Sequence, residues 1–403
     1  RPQVSGIKVT EDSAGQGTNV EQGKIAADSG KKLYITFTSS IEGGTTTVSP
    51  AVPYEVSKNG NYKFTITGTV GGKAYSLEYT VTINQYKIDT SKLIGKIVSY
   101  TPNPPSTGYD LSTAKSGYSS TQTIDSKYDP TVWKIMEVDE NGNITKLFGV
   151  PSSSQSSVYF QESTGYNNGV YLLNDICKSR YGNASLGATA RSLNIEDIES
   201  RMNSNGIAAR NGYKSGTTQY GTTKTFTGSN AQYPAIYAQE KYSGVDVSDV
   251  TAGSQVIAGE VNATAQAKMN PNGKTQSEDV YTTPTADTSK TASTTLTCIQ
   301  TGYCFSNTPS SYFDDTNFHS MIFGTGTYFW LASRYVDCYS SNSYASFGLR
   351  IVISSYLNGN NLFSSGVYDY DRYSCLAPVV SLGSGVQIKS GEGTTEKPYV
   401  IGK

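Results

Sequence analysis

Histidine is nearly missing from this chain. His319 is the only one in 403 residues, and it stands between Phe318 and Ser320 with no motif around it. A Ser-His-Asp or Cys-His pairing would rest on that single imidazole, so the expectation is a satisfied loop or core histidine and no enzyme. Cysteine is scarce as well. Cys177, Cys298, Cys304, Cys338 and Cys375 contain no CxxC pair and, with one histidine, make no zinc-ligand set. Charged residues are 16% of the chain and the net charge is -1, which gives no electrostatic case for nucleic acid or an acidic membrane surface. No apolar run approaches the roughly 20 residues of a membrane helix.

What the chain has in quantity is glycine (40), tyrosine (31), serine and threonine. That mixture suits β-rich extracellular proteins better than helical cytosolic enzymes. The length predicts two or three domains. Starting at Arg1 without an initiator Met, the chain reads as a mature or trimmed form, from which an export signal or anchor has gone.

Residues 1–88 read as one small all-β domain. Lys32 to Thr38, Tyr62 to Thr67 and Tyr75 to Ile83 alternate apolar and polar residues, with Asn59-Gly60 and Gly71-Gly72 as turns. Short strands at this spacing suggest a sandwich. The run Val52-Pro53-Tyr54-Glu55-Val56-Ser57-Lys58-Asn59-Gly60-Asn61-Tyr62 resembles bacterial immunoglobulin-like modules of cell-surface proteins, which implies a spacer or a contact with neighbouring subunits.

Tyr86 to Ser91 reads as a connector, and residues 92–403 as a second, α+β domain. Leu93 to Tyr100 is a strand candidate. Val132 to Val138 and Ile144 to Val150 flank Asp139-Glu140-Asn141-Gly142-Asn143, a hairpin turn that lacks the ligand spacing of a calcium loop. Helices are predicted over Asn168 to Tyr181 and over Ser192 to Met202, the latter with Ser192 as cap and with Glu196, Asp197 and Glu199 as solvated carboxylates. From about 203 to 297 the chain is polar and irregular, and reads as a long insertion. Asp314-Asp315-Thr316-Asn317 has oxygen ligands but reads as a loop. The cysteine spacing allows Cys298–Cys304 and Cys338–Cys375 bridges, while connectivity stays open; Cys177 reads as a buried small hydrophobe.

The most unusual stretch runs from Tyr328 to Leu382. Tyr328 to Arg334, Phe347 to Ile353 and Ala377 to Leu382 read as strands. Phe347, Leu349, Ile351 and Ile353 fall on one face, with Gly348, Arg350 and Val352 on the other. Between them lie segments of Tyr, Ser, Asn, Asp and Gly, the vocabulary of antibody paratopes: large rigid rings plus adaptable hydrogen bonding. The candidate ligand-binding residues are Tyr335, Asp337, Tyr339, Ser341, Asn342, Tyr344, Tyr356, Asn358, Asn360, Tyr368, Asp369, Tyr370, Asp371 and Tyr373. Trp330, Phe347, Leu349, Ile351, Val379 and Val380 are the candidate framework.

Trp330-Leu331-Ala332-Ser333-Arg334, Phe347-Gly348-Leu349-Arg350 and Ala377-Pro378-Val379-Val380-Ser381-Leu382 resemble the C-terminal scaffold of variable proteins of diversity-generating retroelements and related surface proteins of gut Firmicutes and their phages. Gly165 to Val170 and Ala190 to Asp197 look like further motifs of that family. The resemblance implies a C-type lectin-like fold over residues 92–403, and a ligand-facing surface whose codons are diversified toward Tyr, Ser, Asp, Asn and Gly. It leaves out the Glu-Pro-Asn and Gln-Pro-Asp motifs of calcium-dependent lectins, so neither a metal nor any other cofactor is expected. The fold is shared with formylglycine-generating enzymes, but the scattered cysteines do not establish their copper site. The fold class expected is therefore mainly β: an immunoglobulin-like sandwich followed by a C-type lectin-like domain with a long insertion. The function expected is that of an extracellular adhesin or binding protein, on a bacterial surface or phage particle, with a protein or glycan ligand on another cell or surface. Self-association as a subunit of a surface filament or array is the alternative reading.

Overall fold

The structure, a computed structural model, describes the chain apart from residues 27–28, 88, 105–106, 112–121, 152–156, 233–234, 238–254, 258–291, 306, 340–344 and 365–370. The architecture is mainly β, with several sheets and few helices. Two compact units are distinguished, Arg1–Lys92 with Asp139–Gly142, and Leu93–Val138 with Asn143–Lys403.

The first unit packs two three-stranded antiparallel sheets. One holds Gln3–Thr10, Leu33–Ser40 and Tyr54–Val56, the other Thr45–Ser49, Gly60–Val70 and Lys73–Ile83. Period-two alternation sends Leu33, Ile35 and Phe37 inward from one sheet and Phe64, Ile66, Val81 and Ile83 inward from the other. The rings of Phe37 and Phe64 meet edge to face at 5.1 Å. Two local readings change. Tyr86–Lys87 is no connector but a short strand parallel to Ile25–Ala26. Asn59 is no turn residue, since its side chain clamps the Tyr86 backbone at both N–H and C=O (3.0 and 2.7 Å). The Tyr86 ring is buried because its hydroxyl reaches the carbonyls of Lys31 and Val56, 2.9 Å from each.

The second unit is built on a seven-stranded and a five-stranded sheet with one long helix, sharing a single apolar core. The larger sheet runs in the order Thr189–Ser192, Pro378–Ser381, Ile144–Gly149, Trp133–Val138, Ile97–Ser99, Tyr399–Gly402, Gln387–Ser390. The Asp139 carboxylate caps its own turn by accepting the Asn141 N–H at 2.9 Å, which closes the expected hairpin. The helix Glu162–Arg180 begins six residues before the Asn168 predicted for it, because Tyr166 is buried with Val170, Leu172, Leu173, Ile176 and Cys177 and extends the apolar face. At its last turn Arg180 donates to both oxygens of Asp129 and to the Ile124 carbonyl (2.8–3.0 Å).

Ser192 ends a strand instead of capping a helix. The short helix is Ile195–Glu199, and Asn194 caps it with a reciprocal bond to Asp197. The stretch read as irregular contains the helix Ser204–Gly212 and the paired strands Thr223–Gln232 and Ala292–Ile299. Asp315 caps the helix Thr316–Phe323 by accepting from Asn317 and Phe318. His319 on that helix lies against Phe313 and Phe323, with Nε2 2.7 Å from the Thr308 carbonyl.

The five-stranded sheet positions the site. Its order is Ser157–Gln161, Asp371–Cys375, Tyr328–Asp337, Ser346–Ile353, Tyr356–Ser364. Between Trp330 and Arg334 the central strand slips register against Ser346–Ile353. The slipped residues bond elsewhere: the Ala332 N–H donates to the Leu193 carbonyl (2.8 Å), and the Ser333 hydroxyl accepts the Ile195 N–H (2.9 Å). Trp330 is anchored through Nε1 to the Val158 carbonyl at 2.8 Å. Trp330, Phe347, Leu349, Ile351, Val379 and Val380 are all buried.

Candidate functional site

Past the bulge, alternate residues of the central strand point the same way, so Tyr335 and Asp337 share a face. Tyr335 pairs with Gly348, which pairs in turn with Asn361 on the last strand. This row of a ring, a glycine and an amide gives Tyr335 its direction. Its ring lies over Gly348, where an added Cβ would come within 2.7 Å of it, and runs on to Gly359. Gly302 closes the slot from the covering segment, its Cβ position 3.1 Å from the ring. The Tyr335 hydroxyl donates to the Asn361 side chain. Tyr335 is only 4% exposed, and burial, followed by the Asp337 carboxylate, pushes its hydroxyl well above the ordinary tyrosine range.

The covering segment is held to the sheet by its backbone. The N–H groups of Thr301 and Gly302 donate to the Val336 carbonyl (3.0 and 2.7 Å), and the Thr301 hydroxyl accepts the Val336 N–H at 2.8 Å. Gln300, fully buried, uses its whole amide: Nε2 donates to the Gly302 carbonyl (2.7 Å) and to Asp337 (3.0 Å), while Oε1 accepts the Cys338 N–H. Asp337 is thus fixed at the edge of a cleft of about 460 Å³, which is lined by Tyr335, Asp337, Asn358, Gly359 and Asn361 from the sheet, by Tyr339 just past the end of its central strand, and by Tyr213, Tyr303 and Cys304 from the opposite wall. Tyr339 is 39% exposed, and its carbonyl accepts from Lys224 Nζ at 2.5 Å. Burial, with the Asp337 charge second, raises the Tyr213 hydroxyl to about 12 and pushes the Cys304 thiol up.

A polar network sets the opposite wall. The Tyr303 hydroxyl donates to Glu199 (2.9 Å), Arg210 Nη1 donates to the other Glu199 oxygen (2.8 Å), and the Arg210 guanidinium lies 5.3 Å from the Tyr220 ring. Arg350, on the sheet, stacks 4.5 Å over Tyr303 and donates to the Thr301 carbonyl. Glu199 and Asp197 are therefore not solvated helix carboxylates. Asp197 accepts both Arg191 nitrogens at 2.6 Å, and Glu199 holds the wall of the cleft; Glu196 alone of the three is exposed.

Of the sequence-derived residues, Tyr335, Asp337, Tyr339 and Asn358 come together here. Asn360 pairs with Leu349 and Tyr356 with Ile353, both half-buried on the last strand. Tyr373, 68% exposed, lies apart in a second cleft of about 440 Å³ with Tyr328, Ser157, Ser354 and Cys375. Asp371 starts a strand opposite Gln161. Ser341, Asn342, Tyr344, Tyr368, Asp369 and Tyr370 lie outside the described residues. Sequence reasoning missed Tyr213, Gln300, Gly302, Tyr303, Cys304 and Gly359. Only the glycine of Asn358-Gly359-Asn360 inside a strand carried a signal, that of a close approach.

A seam of this kind, with a locked ring, a fixed carboxylate, side-chain amides and one exposed tyrosine, can hold a ligand by stacking and hydrogen bonding. No family model matches the chain, and neither a curated protein nor a solved structure matches it.

Proposed function

We propose that this chain is an extracellular, non-enzymatic binding protein, with an immunoglobulin-like first unit and a C-type lectin-like second unit that presents the Tyr335–Tyr339 cleft to a protein or glycan on another cell or surface. The observation that carries this reading is the preorganised cleft: Tyr335 and Asp337 are locked by Gly302, Gly348, Gly359 and Gln300, and the Tyr339 ring is exposed at its rim. Rigid aromatic surface beside fixed polar groups lowers the ordering cost of binding. The two packed sheets of the first unit support the immunoglobulin-like part, and a long helix packed with two sheets supports the lectin-like part. The Tyr, Ser, Asn and Asp composition around the last strands supports a diversified ligand face, as in retroelement variable proteins, on a bacterial surface or phage particle.

The test is binding of the labelled chain to arrayed glycans and, by flow cytometry, to whole bacterial and host cells. Tyr339→Ala is expected to weaken binding about tenfold or more, as at interface hot spots, with melting temperature kept, and Asp337→Ala to weaken it as much while also lowering the melting temperature, since it takes an acceptor from the buried Gln300 amide. Equal binding by the variants, or no binding by the parent chain to any of these surfaces, would overturn the reading.

A second reading has its own observation. Tyr328 and Tyr373 are 54% and 68% exposed and border the same cleft, which favours self-association of a surface subunit. Sedimentation velocity across a concentration series decides it: assembly without ligand, lost in Tyr373→Ala, supports the subunit role, and a monomer at every concentration removes it.

A further inference from the structure

Two buried thiols meet beside the cleft. Cys298 sits near the end of the strand Ala292–Ile299, opposite Lys224, and Cys338 follows directly on the strand Tyr328–Asp337. Both are buried, as free cysteines, and Lys224, the strand partner of Cys298, donates to the Tyr339 carbonyl next to Cys338 at 2.5 Å, which brings the two thiols to the same place. The backbones that carry them are zipped together, with Gln300 Oε1 on the Cys338 N–H and Thr301 and Gly302 on the Val336 carbonyl. Neither of the spacings that sequence alone suggested, Cys298 with Cys304 or Cys338 with Cys375, is the pair brought together here. Cys304 lines the cleft and Cys375 lies on the strand Asp371–Cys375.

We propose that Cys298 and Cys338 are a latent disulfide, closed by exchange with a low-molecular-weight disulfide, that fastens the covering segment of the cleft to the sheet. One thiol gives up its proton and attacks the oxidant, releasing one thiol and leaving a mixed disulfide; the second thiolate displaces the other half. The two cysteines lose two protons and two electrons, and the oxidant leaves as two thiols. Burial holds the Cys298 thiol well above its ordinary range, so thiolate is rare in the folded chain and exchange there is slow. The bridge therefore closes during folding, or when the strand Ala292–Ile299 opens. Once closed, it joins the wall that carries Tyr303 and Cys304 to the strand that carries Tyr335 and Asp337. The inference stands on the two buried cysteines and the backbones that hold them side by side, and does not depend on the binding reading.

The full chain, unfolded in urea with reductant, is refolded in oxidised glutathione, capped with N-ethylmaleimide and digested without reduction. Mass spectrometry is expected to find the Cys298 and Cys338 peptides joined, two hydrogens lighter than their sum. The oxidised protein should melt about 5 °C above the same protein treated with dithiothreitol, an increment of the size expected for closing a loop of this length. Cys304→Ser and Cys375→Ser should keep the linked peptide, and Cys298→Ser should lose it. Maleimide on both Cys298 and Cys338 after oxidative refolding, or linkage of either to Cys304 or Cys375, overturns the proposal. The comparison of parent protein with and without reductant decides it even if Cys298→Ser does not fold.

Discussion

The ring of Tyr335 occupies the space that a side chain at Gly359 would need: a Cβ built on Gly359 meets Cζ and both Cε atoms of the ring. A strand two places away thus determines whether this tyrosine can lie flat across the sheet. Gly359→Ala should expel the ring at a cost of about 1–3 kcal/mol, the usual range for overpacking. Urea denaturation would read that loss, and quenching of tyrosine fluorescence would rise as the ring becomes exposed. Gly212→Ala, where an added Cβ meets nothing, should show neither change.

Gln300 is the hinge between Asp337 and the covering segment, with all three of its polar contacts buried or half-buried. Gln300→Leu keeps the volume and removes the side chain's three hydrogen bonds, taking their partner from the Cys338 N–H and the Gly302 carbonyl. A loss of about 2–4 kcal/mol follows from two buried polar groups losing that partner. Amide hydrogen exchange at Cys338 should accelerate more than at Phe329, which lies at the other end of the strand.

Glu199 and Glu196 lie three apart on one short helix and should behave differently. Glu199→Gln removes the charge facing Arg210 and keeps an acceptor for Tyr303, with an expected cost of about 2 kcal/mol for a largely buried pair. Glu196→Gln, at an exposed position, should stay within about 0.5 kcal/mol of the parent. Chemical denaturation of both variants in the same buffer separates them, and equal stabilities would contradict the wall network.

Alkaline pH should loosen the second unit. Tyr213 is raised from 10.0 to about 12, and Tyr335 is raised in the same sense by burial. The folded chain therefore holds these protons more tightly than the unfolded chain. That contribution to stability is complete below about pH 10 and is lost as pH rises through about 12. Tyrosinate absorbance should appear late and cooperatively with the loss of circular dichroism. Ionisation of all tyrosines near 10 with the fold intact would contradict the buried placement.

Much of the secondary structure was legible. Phe347 to Ile353 reads as a strand and is one, and the Asp139-Glu140-Asn141-Gly142-Asn143 turn closes the hairpin that its residues specify. The helix predicted from Asn168 starts at Glu162, because Tyr166, four residues before Val170, continues the buried apolar face one turn further back. Ser192 is a good helix cap by residue type, but it ends the strand Thr189–Ser192, with its N–H held by the Asn174 side chain at 3.0 Å. Local propensity loses there to a tertiary partner.

What the sequence determined by itself is the β character, the alternating strands, and the concentration of tyrosine and small polar residues around the last strands, since these follow from side-chain chemistry and period-two geometry. Which of those tyrosines face a cleft was decided only by the tertiary structure. A strand's second face is open or covered according to what packs on it, and here the cover is the segment around Gln300 to Cys304. It buries Tyr335 and Arg350 on the face that alternation marks as polar, and leaves Tyr339 at the rim. Period two sets the direction of a side chain; only the chain folded over it decides whether that direction leads to water.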